Sequence, residues 1–364
     1  MSPRILCSIG TRPEAIKMAP VILALRAHPE ADVRVLATAQ HRELLDEVLD
    51  LFDIRPDIDL DLMEHDQKLP ELTARLITPI DEVLERERPD IMLAEGDTTT
   101  VFVSALAAFY RSIPFGHVEA GLRTGKLGVP FPEEMNRTLT SRLARWHFAP
   151  TQTAAASLRN EGVPADRIHI TGNPVIDALL MTAEMGLPLH VDLDPKRRLV
   201  LVTAHRRENF GAPFLQVCRA LRTLADRNPD IEILYPVHPN PNVVGVAARE
   251  LAAHPRIKLC DPLPYGSFIT AMKRSTLILT DSGGVQEEAP SLAKPVLLLR
   301  SETERPEAVA AGVVKLVGPV HDRIVSEAER LLRDEDAYKE MARGVSPYGD
   351  GKAAARITDV LLGG

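Results

Sequence analysis

The sequence predicts an α/β protein built from two doubly wound parallel-sheet domains. Short apolar, β-branched runs alternate with longer amphipathic stretches, and they do so in two separate series along the chain. Strands that are apolar on both faces belong in parallel sheets covered by helices on each side. The length of 364 residues agrees, since domains average about 100–200 residues.

In the first series, residues 5–9, 33–38, 91–94, 113–118 and 146–149 are rich in Ile, Val, Leu and Phe and too short for helices, so they predict strands. Between them, residues 15–27, 44–52, 69–86 and 99–110 predict helices, as in the spacing of Leu72, Leu76, Ile80 and Val83. Pro130-Phe131-Pro132-Glu133-Glu134-Met135-Asn136-Arg137 opens another. In the second series the strands are residues 199–203, 231–237, 257–260, 277–280 and 296–299. The helices are residues 214–227, 245–254, 264–272, 284–292 and 322–333. Gly186, Pro188, Asp192, Asp194 and Pro195 interrupt both periods, which sets domains at residues 1–185 and 186–351. A turn, Ser346-Pro347-Tyr348-Gly349-Asp350-Gly351-Lys352, precedes a last short helix at 353–362.

Composition narrows the function. The net charge is −8 and aromatics are only 4%. Such a chain is a poor general binder of nucleic acid. Cys7, Cys218 and Cys260 lie far apart, which fits a reducing cytosol and gives no zinc spacing. No apolar stretch approaches the roughly 18 residues of a membrane span. The expectation is a cytoplasmic protein with no membrane partner and no metal.

In open α/β sheets, ligands sit beyond the carboxyl ends of the strands. After the first strand, Gly10-Thr11-Arg12-Pro13-Glu14-Ala15-Ile16-Lys17 puts two cations near a helix start, which suits an anion such as a phosphate. The alternative is a solvated pair of charges. Glu95-Gly96-Asp97-Thr98-Thr99 places Asp97 at a strand end, as a reactive acid or a plain helix cap. Glu119 follows the strand at 113–118, and Glu133 and Glu134 stand in a first helical turn, where the dipole favours acids. In the second half, His205 lies directly beyond an apolar strand with Arg206 and Arg207 beside it, suited to proton transfer. The role of His238, in a proline-rich loop, is open.

The most specific segment is Thr280-Asp281-Ser282-Gly283-Gly284-Val285-Gln286-Glu287-Glu288. A strand ends, two glycines let backbone amides approach a ligand, and a helix begins, which makes a phosphate cradle. Glu288 stands where it could accept from two ribose hydroxyls, and Arg305 could reach the same anion. No Gly-x-Gly-x-x-Gly follows any strand, so no nicotinamide site is expected. Together these ends suggest a nucleoside diphosphate in a cleft between the domains, with acid–base chemistry beside it.

The segments at residues 10–17, 96–100, 117–124, 132–137, 171–177, 205–209, 280–290 and 304–308 resemble the bacterial non-hydrolysing UDP-N-acetylglucosamine 2-epimerases, from Arg4 nearly to the C-terminus. The resemblance implies the GT-B fold: two Rossmann-like domains, an interdomain cleft, and a C-terminal segment (352–364) returning to the first domain. It implies catalytic roles for Asp97, Glu119, Glu133 and His205. UDP contacts fall on Arg12, Lys17, Phe268, Ser282, Gly283, Gly284, Glu288 and Arg305. It further implies UDP-N-acetylglucosamine and UDP as ligands, no cofactor, a homodimer, and a place in polysaccharide biosynthesis. A second, activating UDP-N-acetylglucosamine site would involve Gln40, His41, Glu43, Asp66, Glu133, Arg206 and His238. The chain departs from the pattern at Glu43 and Asp66, where Gln and Arg are usual, and loss of a cation weakens that site. It departs again at Leu93-Ala94-Glu95, where Val-His often precedes Gly96.

The chemistry constrains the route. Inverting C2 of the sugar breaks a C–H bond that no carbonyl activates, and no nicotinamide site is expected that would oxidise C3. Expelling UDP from C1 while removing the C2 proton gives 2-acetamidoglucal, to which UDP adds back after protonation on the other face. Cations and amides would stabilise the departing charge. Asp97, Glu119 and Glu133 would serve as base, acid and stabiliser of the cationic ring, Asp97 being the candidate base. Three other readings use parts of the same residues: a hydrolysing epimerase that releases N-acetylmannosamine and UDP, a GT-B glycosyltransferase, and a non-catalytic UDP-sugar-binding regulator.

Overall fold

The computed structural model describes residues 2–38, 42–62 and 68–363, with the side chains of 42–44 outside the description. The chain forms two compact units, Met1–Leu180 with Tyr348–Gly364, and Met181–Pro347. They are called unit 1 and unit 2 below.

Unit 1 contains seven strands among the described residues: β1 (Arg4–Ile9), β2 (Asp32–Ala37), β3 (Ile58–Asp59), β4 (Ile91–Glu95), β5 (Phe115–Val118), β6 (Trp146–Ala149) and β7 (Ile168–Ile170). They pair in the order β3-β2-β1-β4-β5-β6-β7, all parallel. Every residue of β4 and β5 is buried, as expected for strands covered on both faces. Leu6, Leu36, Met92 and Phe115 pack with Leu72, Leu76, Ile80 and Val83 of the helix Leu69–Glu87. Each such side chain contributes about 1.5–3 kcal/mol on burial. The terminal helix Ala353–Leu362 belongs to unit 1. Its first amides, those of Ala353 and Ala354, donate to Asp177 at 3.2 and 2.9 Å.

Unit 2 repeats the plan with six parallel strands: β8 (Arg198–Thr203), β9 (Ile231–Pro236), β10 (Ile257–Cys260), β11 (Ser275–Thr280), β12 (Val296–Leu298) and β13 (Val314–Leu316), in the order β10-β9-β8-β11-β12-β13. Its core joins Val200, Val202, Ile233, Tyr235, Leu277 and Leu279 to the helices Ala212–Arg227 and His321–Arg333.

Three strands were not expected: β3, β7 and β13. They have two or three residues each and stand at sheet edges, so no periodicity could reveal them. The loop expected after His238 is shorter than read. A helix starts at Pro241, with the Asn240 side chain accepting from the Asn242 amide at 2.9 Å and proline in the first turn, where its missing N–H costs nothing. The single helix expected at 284–292 is two pieces, an α-helix Gly283–Glu288 and a 3₁₀ turn Ala289–Leu292, which breaks beside Pro290. Among the described residues, no helix is long and apolar enough to cross a membrane.

Candidate functional site

In unit 1 the candidate residues stand after β1, β4 and β5. Gly10 follows β1 because the chain passes close to two side chains there: a Cβ would lie 2.6 Å from Thr38 Oγ1 and 2.8 Å from Thr100 Oγ1. Thr11 caps the helix Arg12–Ala27. The buried Glu14 carboxylate accepts from the Gly10 amide at 2.6 Å, and burial pushes its carboxyl up to about 7. Arg12 opens this helix, half-buried.

Lys17, one turn on, lies between two acids rather than standing as an isolated cation. Its ammonium is 2.8 Å from Glu95 Oε1 and 2.7 Å from Glu119 Oε2. Glu119 directly follows β5 with φ of +61°, a left-handed conformation uncommon for glutamate that re-aims the chain at the strand end. Asn173 Nδ2 donates to the same Glu119 oxygen at 2.6 Å.

Asp97 follows β4, its carboxylate 2.8 Å from an Arg137 guanidinium nitrogen. Burial holds the Asp97 carboxyl above the usual aspartate range. Arg137 and Lys17 oppose that shift, and the charges of Glu119 and Glu133 reinforce it. Asn136 Nδ2 fixes the main chain by donating to the Asp97 carbonyl at 2.9 Å. Glu133 begins the helix Glu133–Leu143, and its Oε2 is buried with no hydrogen-bond partner among the described residues. Glu134, beside it, instead braces the preceding loop, accepting from the Thr124 and Gly125 amides at 3.0 Å each. His117 Nε2 bonds the Gly96 carbonyl at 2.7 Å, and burial drives its imidazole down to about 3, so it stays neutral.

Unit 2 gathers a second set around Asp281, which directly follows β11 and is fully buried. One of its oxygens accepts from the amides of His205 and Arg206 at 2.8 Å each and from Asn209 Nδ2 at 3.2 Å. The other lies 3.5 Å from His205 Nδ1. Burial lowers the His205 imidazole below its usual value against the pull of Asp281, so it is neutral at pH 7. The His238 ring stacks on it at 5.2 Å between centroids.

Ser282, Gly283 and Gly284 follow. The Ser282 amide donates to Thr280 Oγ1 at 2.9 Å. A Cβ on Gly283 would meet only an Arg206 nitrogen at 3.7 Å, and neither glycine needs a left-handed backbone. Glycine here therefore leaves room above the main chain. Arg206 Nε is buried without a hydrogen-bond partner among the described residues, and its guanidinium borders this room. Arg305 is held by Glu287. Glu288 is buried and accepts from Tyr265 Oη at 3.2 Å, and Phe268 lies half-buried on the same helix as Tyr265.

Of the second-site residues, Gln40, His41 and Asp66 lie outside the described residues. Glu43 falls on the helix Arg42–Leu51, its side chain likewise outside them. Arg206 and His238 are both in unit 2, bordering Gly283 and His205. Among the described residues, no group of three or more His, Cys, Asp or Glu is placed to hold a metal ion.

Arg137, Asn173 and Asp281 also hold the site residues in place, each through a partner far along the chain. The signal for Asp281 was present, an acid between an apolar strand and two glycines.

A family model described as UDP-N-acetylglucosamine 2-epimerase matches residues 23–362. The probable UDP-N-acetylglucosamine 2-epimerase of Ralstonia nicotianae is 52% identical, the alignment covering 98% of each chain. The UDP-N-acetylglucosamine 2-epimerase of Escherichia coli (strain K12) is 51% identical over the same 98% of both. Among solved structures, UDP-GlcNAc 2-epimerase from Neisseria meningitidis bound to UDP-GlcNAc matches with a TM-score of 0.88 at 46% identity, covering 99% of this chain and 100% of that one. The two parallel sheets with interleaved helices are GT-B-like. Motif, fold and similarity agree, and the chain belongs to the UDP-N-acetylglucosamine 2-epimerase family.

Proposed function

We propose that this enzyme interconverts UDP-N-acetylglucosamine and UDP-N-acetylmannosamine by eliminating UDP to 2-acetamidoglucal and adding it back, without releasing free sugar. The observation that carries this reading is the acid set of unit 1. Asp97, Glu119 and Glu133 stand at strand and helix ends with cations and amides fixing two of them. Asp97, kept more basic than an ordinary aspartate by its surroundings, takes the C2 proton. Glu119, aligned by Lys17 and Asn173, returns a proton on the opposite face. Glu133, with an oxygen that has no hydrogen-bond partner among the described residues, faces the cationic character that develops at C1 as the glycosyl bond opens.

Unit 2 supplies the leaving-group end. The room above Gly283 and Gly284, bordered by Arg206, fits a pyrophosphate, and charge growing on it as the bond breaks is stabilised by a preset cation and amides. Neutral His205, oriented by Asp281, exchanges a proton with that leaving group.

Incubation with UDP-N-acetylglucosamine in heavy water tests the reading. Deuterium should enter C2 of both epimers while free UDP stays at trace level. UDP accumulating in step with N-acetylmannosamine would show hydrolysis instead, and turnover without deuterium at C2 would refute the route.

Gly283→Ala separates ligand room from folding. The added Cβ meets no protein atom closer than 3.7 Å, so the melting temperature should not fall. Binding of UDP should weaken by about tenfold or more, the ~1–3 kcal/mol that overpacking costs. Calorimetric titration with UDP reads it, and wild-type affinity would remove Gly283 from the pyrophosphate site.

A further inference from the structure

The turn that presents Arg206 is anchored to the loops beside it at one end of the unit 2 sheet. Arg206 immediately precedes a 3₁₀ turn, Arg207–Asn209. Two of the anchors are buried. Asp281, after β11, accepts the His205 and Arg206 amides, and Asn209 Nδ2 donates to the carbonyl of Leu299, which directly follows β12. Two points of attachment leave a turn able to rock about the line that joins them. A third removes that freedom. The Arg300 side chain, 9% exposed, donates from Nε to Glu208 Oε1 at 2.5 Å and from Nη2 to Glu208 Oε2 at 3.3 Å. Glu304 Oε1 lies farther off, 3.7 Å from Nη2. The Arg300 pair joins the loops of β8 and β12, which are not neighbours, since β11 lies between them. Its own loop is tied to the glycine turn as well. Thr303 Oγ1 donates to Gln286 Oε1 at 2.7 Å, and the fully buried Gln286 donates from Nε2 to the Ser282 carbonyl at 3.0 Å. Stability does not explain an arginine here. An ion pair whose acid is half-exposed adds little, and an apolar side chain of similar length would fill the same space. What arginine adds is direction, because a planar fork meets two carboxylate oxygens at once.

We propose that Arg300 is a positioning residue: through Glu208 it fixes the turn that presents Arg206 to the room above Gly283 and Gly284, where a diphosphate binds. Arg300 acts by placement, its fork being taken up by Glu208. The inference rests on the reading of that room as the pyrophosphate site.

The test titrates UDP calorimetrically into full-length wild type, Arg300→Met, Arg300→Lys, Glu208→Gln, Arg206→Met and the double variant Arg300→Met with Arg206→Met. Methionine keeps the length of the buried stem and removes the fork, so the melting temperature of Arg300→Met should stay within about 4 °C of wild type. Its dissociation constant for UDP should rise by about tenfold. Glu208→Gln breaks the same pair from its half-exposed side and should weaken UDP in the same direction. Arg300→Lys offers a point charge in place of the fork and should recover only part of the affinity. With Arg206→Met already present, Arg300→Met should cost less than about twofold, because no guanidinium is left to place. A purely structural role would weaken UDP by the same factor in both backgrounds. Equal factors, or wild-type affinity in both Arg300→Met and Glu208→Gln, would overturn the proposal. Should Arg300→Met not fold, Glu208→Gln combined with Arg206→Met gives the same comparison. If wild type bound no UDP, or Arg206→Met bound it normally, the pyrophosphate reading would fail by itself. Hydrogen exchange at residues 204–209 would still decide the placement of the turn, faster exchange in Arg300→Met supporting it and an unchanged rate refuting it.

Discussion

Asp97→Asn should lower kcat by about 10²–10⁴-fold, the contribution of one general acid–base group, while UDP affinity stays within a few-fold of wild type. The amide has the shape of the acid but cannot take the C2 proton. The competing explanation is that Asp97 serves only as counterion to Arg137, 2.8 Å away. The surroundings separate the two. Arg137 Nε also lies 3.5 Å from Glu134 Oε2, so the guanidinium keeps a carboxylate partner after the change. The Asn136 hydrogen bond goes to the main-chain carbonyl of residue 97, which the substitution leaves in place. Folding should therefore survive, and a rate loss reports chemistry. The pH profile adds a sign. A base must be deprotonated to work, so the wild-type rate falls as pH drops through a value that burial has lifted above the usual aspartate range. Residual activity of the variant should lack that acid limb. Steady-state rates across pH, UDP titration and deuterium exchange at C2 measure all three. If Asp97→Asn keeps kcat within tenfold and exchanges at the wild-type rate, another group is the base.

What the sequence could disclose follows from chain locality. Runs such as those of β1, β8 and β11 are continuous apolar segments flanked by glycine, acid or threonine, so both the strands and the residues just beyond them were legible. The doubly wound rule then pointed to Asp97, Glu119, His205 and the Ser282–Gly284 turn without any contact being known. Contacts are another matter. Lys17 and Glu95 are 78 residues apart, and nothing local distinguishes a cation aimed at a phosphate from one held between two carboxylates. The position of Arg206 beside Gly283 depends on β8 and β11 being neighbours, which pairing in the sheet decides. Edge strands such as β3 form because a partner's free edge is available, and two residues carry no period of their own.

That same neighbourhood of β8 and β11 makes Asp281 the second large expectation. Asp281→Ala should destabilise unit 2 by about 3–5 kcal/mol, the range for removing one partner from a buried charged network. The carboxylate is fully buried, and one oxygen receives the His205 and Arg206 amides and the Asn209 side chain. Alanine leaves both amides without an acceptor, at about 1–3 kcal/mol each. Asn209 keeps its second bond, to the Leu299 carbonyl at 3.1 Å, so it adds less. At ~2–4 °C per kcal/mol for a unit of this size, the calorimetric transition should fall by about 6–20 °C. Asp281→Asn separates the fold from the chemistry. Its remaining oxygen can still accept the amides, so most of the stability should return. Its NH₂ then faces His205 Nδ1 in place of a carboxylate, forcing the imidazole toward the tautomer with Nε2–H, and kcat should stay low. If both variants lost stability and activity in proportion, His205 would need no orienting acid. If Asp281→Ala melted like wild type, the loop after β8 would have to be held by something other than the charge at the end of β11.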